Sequence, residues 1–187
     1  MLNPIPSEVD VAVIGAGSAG LPAFRAAREH TDRVILIERG PHGTTCARVG
    51  CMPSKLLIAA AEAAHGMEIA PGFGIHPGSI NIDGEAVMER VRRERDRFVG
   101  FVLDGVDRID PEQKIFGQAR FVEDSRLEIG NSQVRAGRVV IASGTSPAIP
   151  DFLEEVRDRV SVNDDVFEWK TLPESVAVFG AGVIALV

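Results

Sequence analysis

Cys46 and Cys51 are the chain's only cysteines, and four residues separate them in Gly43-Thr-Thr-Cys-Ala-Arg-Val-Gly-Cys-Met-Pro-Ser-Lys55. No other side chains here carry two-electron sulfur chemistry. In a regular helix, residues five apart point to different sides and stand about 7.5 Å apart along the axis. A disulfide needs Cα atoms within roughly 7 Å, so the pair closes only across an irregular turn. Gly50, immediately before Cys51, supplies the backbone freedom for one. Pro53 suits the first turn of a helix, where its missing N–H costs nothing. The pattern predicts a redox-capable dithiol at the mouth of a helix whose dipole favours a thiolate. Two other readings stand beside it: a buried, inert pair, and a zinc site with His42, which is weaker because structural zinc takes four ligands at tighter spacing.

The elements that would position such a pair are those of an α/β fold. Val9 to Ile14 is a β-branched run leading into Gly15-Ala-Gly17-Ser18-Ala-Gly20 and an alanine-rich stretch that ends near His30. This predicts strand, glycine turn and helix. Gly15 permits the tight turn, Gly17 lets the backbone approach a pyrophosphate at the helix N-terminus, and Gly20 allows close packing of helix on strand. Val34 to Ile37 is a second strand, and Glu38 at its end is placed to accept from a ribose hydroxyl. The alternative is a glycine-rich turn in some other α/β protein. Pro22 breaks a local rule, since past the first helical turn it deletes a hydrogen bond or delays the helix start. Arg39 is either a surface charge or a neighbour of the adenosine.

Further along, Leu56 to Ala64 is apolar nearly all round and predicts a buried helix stopped at His65-Gly66. Asp83 to Val106 predicts a helix with Val87, Val91, Phe98, Val102 and Val106 inward, and the mixed charges of Glu89 to Arg97 on a solvated face. Lys114-Ile-Phe, Ala119 to Val122, Arg126 to Ile129, and Val134 leading to Val139–Ala142 predict short strands of a small antiparallel meander that returns to the parent sheet. Val176-Ala-Val-Phe followed by Gly180-Ala-Gly182-Val-Ile-Ala185 opens a second strand and glycine turn. The fold class is thus α/β, a Rossmann-like dinucleotide domain with a parallel sheet and a small antiparallel β-meander. It spans 1–150 and carries the dithiol, with a connector at 151–174 and the truncated start of a second nucleotide domain at 175–187.

With 187 residues and ample apolar content, the chain has enough material for a large α/β domain. A net charge of -7 argues against a nucleic-acid surface. No apolar run approaches the ~20 residues of a membrane span. The start lacks a basic region followed by an apolar stretch, so no secretory signal is expected. Two cysteines without a wider framework fit a reducing compartment, and the expected location is the cytoplasm.

Together these residues resemble the flavin-dependent pyridine nucleotide-disulfide oxidoreductases, and within them the dihydrolipoamide dehydrogenase branch most of all. The resemblance runs from Gly15-x-Gly17-x-x-Gly20 and Glu38, through Cys46-x4-Cys51-Met-Pro-Ser-Lys55, to Ala142-Ser143-Gly144 and the second glycine motif. It implies FAD on the first motif and NAD on the second, at Gly180 and Gly182, in a full-length protein. It implies that Cys46 is the interchange thiol, Cys51 the charge-transfer thiolate beside the flavin, and Lys55 the lysine near the flavin ring. Ser18, Arg39, Thr45 and Gly50 join the cofactor-binding set by the same resemblance. So do Ala119, as a backbone contact to the adenine, and Ala142, Ser143 and Gly144, as a stretch passing the flavin.

The resemblance has departures. Thr44 stands where the family has a second glycine, and Ala185 replaces the third glycine of the second motif. The family pairs two subunits through an interface domain whose His and Glu lie five residues apart; none of His30, His42, His65 and His76 has such a Glu. The resemblance therefore implies an amino-terminal flavin-domain portion, with dihydrolipoyl dithiols as the substrate class and NAD-linked turnover not expected from this chain alone. The alternatives are a glutathione or mercuric reductase-like relative, a non-catalytic FAD-binding fragment, and a flavoprotein monooxygenase that uses only the first motif.

Overall fold

In the computed structural model, which describes residues 5–186, the apolar run after Arg33 forms strand β2 (Val34–Glu38), buried on both faces. The chain divides into two compact units. One takes the residues up to Thr45 and Gly100–Ser146; the other takes Cys46–Val99 and the residues from Pro147 onward.

The first unit is built on a six-stranded sheet. β1 (Glu8–Ile14) pairs in parallel with β2 and with β6 (Ser132–Ile141), and β3 (Lys114–Phe116) lies parallel to β2. β4 (Ala119–Glu123) and β5 (Arg126–Ile129) continue the sheet antiparallel from β6. The order is β3-β2-β1-β6-β5-β4. The period-two alternation of β2 sorts its side chains onto two faces. Ile35 and Ile37 join Ile115, Leu127, Ile129 and Val134. Val34 and Leu36 join Leu21 and Phe24 of helix α1 (Gly20–Arg28) and Val106 of helix α4 (Gly84–Asp107). Each fully buried Leu, Ile or Phe among these contributes about 1.5–3 kcal/mol of transfer free energy.

The parallel sheet and meander expected from the sequence are therefore one sheet. Lys114–Phe116, grouped with the meander by its sequence, instead extends the parallel part beside β2. Its partner was not readable from three residues. β3 and β4 are the two outer strands, yet only Gly117 and Gln118 join them. A flat six-stranded sheet would hold its edges about 24 Å apart, whereas the link from Phe116 to Ala119 reaches at most about 11 Å. The sheet is consequently strongly curled, and the meander covers one face of the parallel strands. Pro22 needs no accommodation, because α1 begins at Gly20 and Pro22 falls in its first turn, so its missing N–H costs no bond within the helix.

α2 (Thr45–Val49), of the second unit from Cys46 onward, leads through Gly50 into α3 (Cys51–Ile69), and a 3-10 turn (Ala70–Phe73) follows, capped by Gly74 at φ +77°. The expectation of a buried helix ending at Gly66 is overturned. α3 runs past Gly66 to Ile69, and Leu56 to Ala64 is half-buried or exposed, with only Pro53 and Ser54 of the helix buried. Apolar composition calls for cover but does not name what supplies it.

Helix α4 covers the Asp83 to Val106 span, with its first turns in this unit. Met88 and Val91 are buried, whereas Phe98 is exposed. Arg95, expected on a solvated face, is also buried. Its Nε donates to Asp96 at 2.8 Å and its Nη1 to Glu168, while Arg92 donates to the Trp169 carbonyl. These bonds hold the segment around helix α5 (Asn163–Val166) to α4. The strand expected at Val176–Phe179 is not formed: the segment is irregular and exposed, and a 3-10 turn (Val183–Leu186) follows. No described helix is long and apolar enough to cross a membrane.

Candidate functional site

The glycine turn of the first unit is set by contacts a side chain would forbid. Gly15 has φ +103°, and a Cβ there would stand 2.1 Å from the Ala142 carbonyl oxygen. At Gly20 a Cβ would stand 1.7 Å from the Gly15 oxygen. Gly17 differs, because a Cβ there would meet nothing within 4 Å. Gly15 and Gly20 thus close the turn on itself and on the end of β6, while the backbone at Gly17 faces open space. The turn delivers the chain to α1, whose N-cap Ala19 supplies no side-chain bond. In the first turn the Leu21 N–H donates to the Gly17 carbonyl at 3.1 Å and Pro22 has no N–H, and this end of the helix carries the positive end of its dipole.

Glu38 lies at the same, C-terminal end of the parallel strands. Its Oε2 accepts from the Ala16 N–H at 2.8 Å and its Oε1 from the Gly40 N–H at 2.8 Å. One carboxylate therefore ties the glycine turn to the chain leaving β2. The Gly15 N–H donates to the Ile37 carbonyl at 2.7 Å, the Ala142 N–H to the Ile14 carbonyl at 2.8 Å, and the Gly117 N–H to the Glu38 carbonyl at 2.9 Å. The structure thereby brings Gly15, Gly17, Gly20, Glu38 and Ala142 together, with Ser18, Arg39, Ser143 and Gly144 exposed around them. Ala119 opens β4 two residues after the Gly117 that binds Glu38.

These residues fit a dinucleotide. Open backbone at Gly17 and an uncapped helix start suit a pyrophosphate, and an acid at the end of β2 suits a ribose. His42, which by its sequence suits only a weak zinc site, adds a feature of its own. Its Nδ1 is buried and has no hydrogen-bond partner, alone in this among the side-chain polar atoms of the described residues. A histidine among Gly, Pro and Thr carries no sequence signal of that kind.

The dithiol belongs to the second unit. Gly50 sits at φ −135° and ψ −119°, outside the helical region, so the chain breaks between α2 and α3 as the spacing required. Both thiols are free, Cys46 half-buried and Cys51 exposed. The Cys46 thiol is pushed above its ordinary range, first by its hydrogen bond to the Cys51 side chain, then by burial and by the neighbouring Cys51 charge. The backbone of Cys51 and the positive charge of Lys55 pull the other way. Most of these effects come from Cys51, so the state of one sulfur bears on the other.

Below them, the Ser54 N–H donates to the Gly50 carbonyl at 3.1 Å and Ser54 Oγ to the Cys51 carbonyl at 3.2 Å. Asn163 Nδ2 holds the Val49 carbonyl at 3.3 Å. The break is therefore fastened on both sides. Lys55 is exposed one turn after Cys51 and acts on Cys46 through its charge. Thr45 is the exposed first residue of α2.

Just before it, Thr44 takes φ +61° and Gly43 φ +114°. The turn that a second glycine would make easily is made here by a β-branched residue. Gly180, at φ +121°, and Gly182 lie exposed in irregular chain without the strand that would make them a nucleotide turn. Among the described residues no group of three or more His, Cys, Asp and Glu is set to hold a metal ion.

A model described as pyridine nucleotide-disulphide oxidoreductase matches residues 9–187. The chain is 35% identical over 188 residues to a mercuric reductase of Serratia marcescens, across 95% of this chain and 40% of that protein. It is 32% identical over 179 residues to a glutathione reductase of Burkholderia cepacia, across 95% and 39%. Among solved structures it aligns with the Cu(II) complex of a cysteine-to-serine mutant of the HOCl-induced flavoprotein disulfide reductase RclA from Escherichia coli. That match has a TM-score of 0.70 at 21% identity, across 90% of this chain and 36% of that one, a likeness of fold. The chain thus spans about two-fifths of the length of these relatives.

Proposed function

The chain belongs to the pyridine nucleotide-disulphide oxidoreductase family, and from that premise we propose that it is the FAD-binding, dithiol-bearing portion of a flavoprotein disulfide oxidoreductase. Residues 1–150 form the flavin domain, 151–174 a connector, and 175–187 the beginning of a nicotinamide-nucleotide domain. The observation that carries the proposal is the break at Gly50, whose non-helical backbone parts α2 from α3 and leaves Cys46 near enough to Cys51 and Lys55 for both to act on its thiol.

When bound, FAD supplies the two-electron acceptor and donor that amino-acid side chains lack. Glu38 fixes the end of β2 against the glycine turn and is placed for the ribose, and Gly17 admits the pyrophosphate. Ser18, Arg39, Thr45, Ala119 and Ala142–Gly144 complete the lining. At the dithiol, Cys46 exchanges with the substrate sulfur and Cys51 holds the electron pair as thiolate, helped by the α3 N-terminus. Closing the thiol–thiolate pair into a disulfide releases one proton and two electrons, and opening it to that form consumes them. Lys55 keeps positive charge near the pair as the thiolate forms.

For the substrate, the reading drawn from Cys46-x4-Cys51-x-Pro-Ser-Lys55 is a dihydrolipoyl dithiol, with NAD as the final acceptor in the full-length protein and a second subunit completing the site. The mercuric and glutathione reductase relatives favour a second reading, with electrons running toward the substrate. Purified protein saturated with FAD is tested against dihydrolipoamide, oxidised glutathione and Hg(II), with flavin absorbance and the state of the two thiols followed together. Bleaching by dihydrolipoamide supports the first reading; reoxidation of the reduced protein by glutathione disulfide or Hg(II) supports the second. A protein that takes up no FAD, or whose cysteines never join in one bond on oxidation, would falsify both.

A further inference from the structure

We infer that Asn163 is a positioning residue for the dithiol, its side-chain amide holding the end of α2 so that Cys46 keeps its place beside Cys51. The inference rests on the dithiol reading above and stands apart from FAD binding. In a continuous helix the Val49 carbonyl would accept from the N–H four residues on. That residue is Pro53, which has none. The Gly50 carbonyl is drawn into α3 by the Ser54 N–H at 3.1 Å, and the Cys51 carbonyl accepts from Ser54 Oγ at 3.2 Å. Val49 therefore ends α2 with an acceptor that the helical pattern leaves without its donor. Asn163 Nδ2, 114 positions along the chain, supplies one at 3.3 Å.

An anchor positions its partner only if it is itself fixed. Asn163 opens α5, and its second amide hydrogen goes to Asp164 Oδ1 at 2.9 Å, so both donors of the amide are committed. Asp165 Oδ2 accepts from the Val162 N–H at 3.0 Å and closes the same turn. Just beyond, Phe167 is buried, Glu168 accepts from Arg95, and the Trp169 carbonyl accepts from Arg92. This stretch is thus tied to α4 on one side and to the break on the other. Cys46 lies three residues before Val49 and Cys51 two after it. Movement of that carbonyl therefore changes the separation of the two sulfurs, and a disulfide closes only within a narrow range of geometry.

The test equilibrates the purified chain at pH 7 with mixtures of glutathione and glutathione disulfide, and reads the closed fraction by alkylating the thiols that remain. In that exchange the pair gives two electrons and two protons to glutathione disulfide, which leaves as two molecules of glutathione. Asn163→Ala is expected to lower the equilibrium constant for closing the pair about fivefold, as loss of one hydrogen bond predicts. Asn163→Asp keeps the shape and suits the start of α5 but has no N–H to offer, and should lower it at least as much. Asn163→Gln still presents two donors and is expected within about twofold of the parent. Urea unfolding of each reduced variant is measured alongside. An equilibrium constant in Asn163→Ala or Asn163→Asp equal to the parent's would overturn the inference and leave the dithiol reading standing. Should stability fall while that constant holds, Asn163 is a purely structural residue. If the parent's cysteines never join in one bond, the dithiol reading falls and this inference with it.

Discussion

The Cys46 thiol is hydrogen-bonded to the Cys51 side chain across the break at Gly50, and that bond is the largest reason its proton is held above the ordinary thiol range. Cys51→Ala removes both the bond and the neighbouring charge, so Cys46 should ionise at lower pH. Its alkylation by iodoacetamide at pH 8 is expected to speed up several-fold. Lys55→Met removes a charge that favours the thiolate and should slow the same reaction. A pH profile of alkylation for each variant checks both signs, and an unchanged profile in Cys51→Ala would show the sulfurs to be independent.

The same shift makes a prediction about stability. A thiol whose proton is held more tightly in the folded chain than in the unfolded one adds stability below the unfolded value of about 8.5. That contribution fades as pH climbs from there through the raised folded value. Urea unfolding of the parent and of Cys46→Ser between pH 7 and pH 10 should show the parent losing more stability over the interval. Parallel curves for the two proteins would contradict the assignment.

Gly17 and Gly20 should separate binding from folding. Gly20→Ala forces a methyl to 1.7 Å from the Gly15 oxygen and is expected to cost about 3 kcal/mol or more of stability. Gly17→Ala meets no neighbour, so the apoprotein should unfold within about 1 kcal/mol of the parent while FAD affinity falls. Thermal scans with and without FAD distinguish the two. A Gly17 variant that binds as tightly as the parent would argue that the cofactor does not approach this backbone.

Thr44 is a β-branched residue in left-handed backbone, at φ +61°. Relief of that conformation by Thr44→Gly is worth about 1–2 kcal/mol, offset in part by the greater freedom of glycine in the unfolded chain. The net expectation is a gain of about 1 kcal/mol, read from denaturant unfolding. A clear loss would mean that the side chain holds the turn by contacts worth more than the backbone cost.

Arg95→Ala should destabilise by about 2 kcal/mol, mostly through lost packing of a buried stem, because its partners Asp96 and Glu168 stay in reach of water. Glu168→Gln should cost less, since Asp96 still faces the guanidinium. Burial alone would lower the Arg95 pKa, and the bonds to both carboxylates outweigh it and raise it. Chemical denaturation of the two variants side by side tests the order.

Much of the first unit was legible because its residues obey short-range rules. Val34–Ile37 had to be a strand buried on both sides, Glu38 had to follow it, and the glycines had to turn. The break between the cysteines was likewise written in their spacing. What escaped was whatever depends on cover or on distant chain. Leu56–Ala64 looked like core and lies largely uncovered, and Arg95 looked solvated and is buried by a segment more than seventy residues away. Lys114–Phe116 carries too few residues to announce which strand it will join, and the unpaired nitrogen of His42 is a property of surroundings that no local pattern encodes.

Gly117 and Gln118 give the curled sheet a clasp, because they fasten together the strands that would otherwise be its loose borders. A border that is tied down offers no place for peeling to begin, so the unit has little means of coming apart by stages. Amide protons of β3 and β4 should accordingly exchange at matched rates, and lengthening the clasp by a few glycines should let one border breathe without the other.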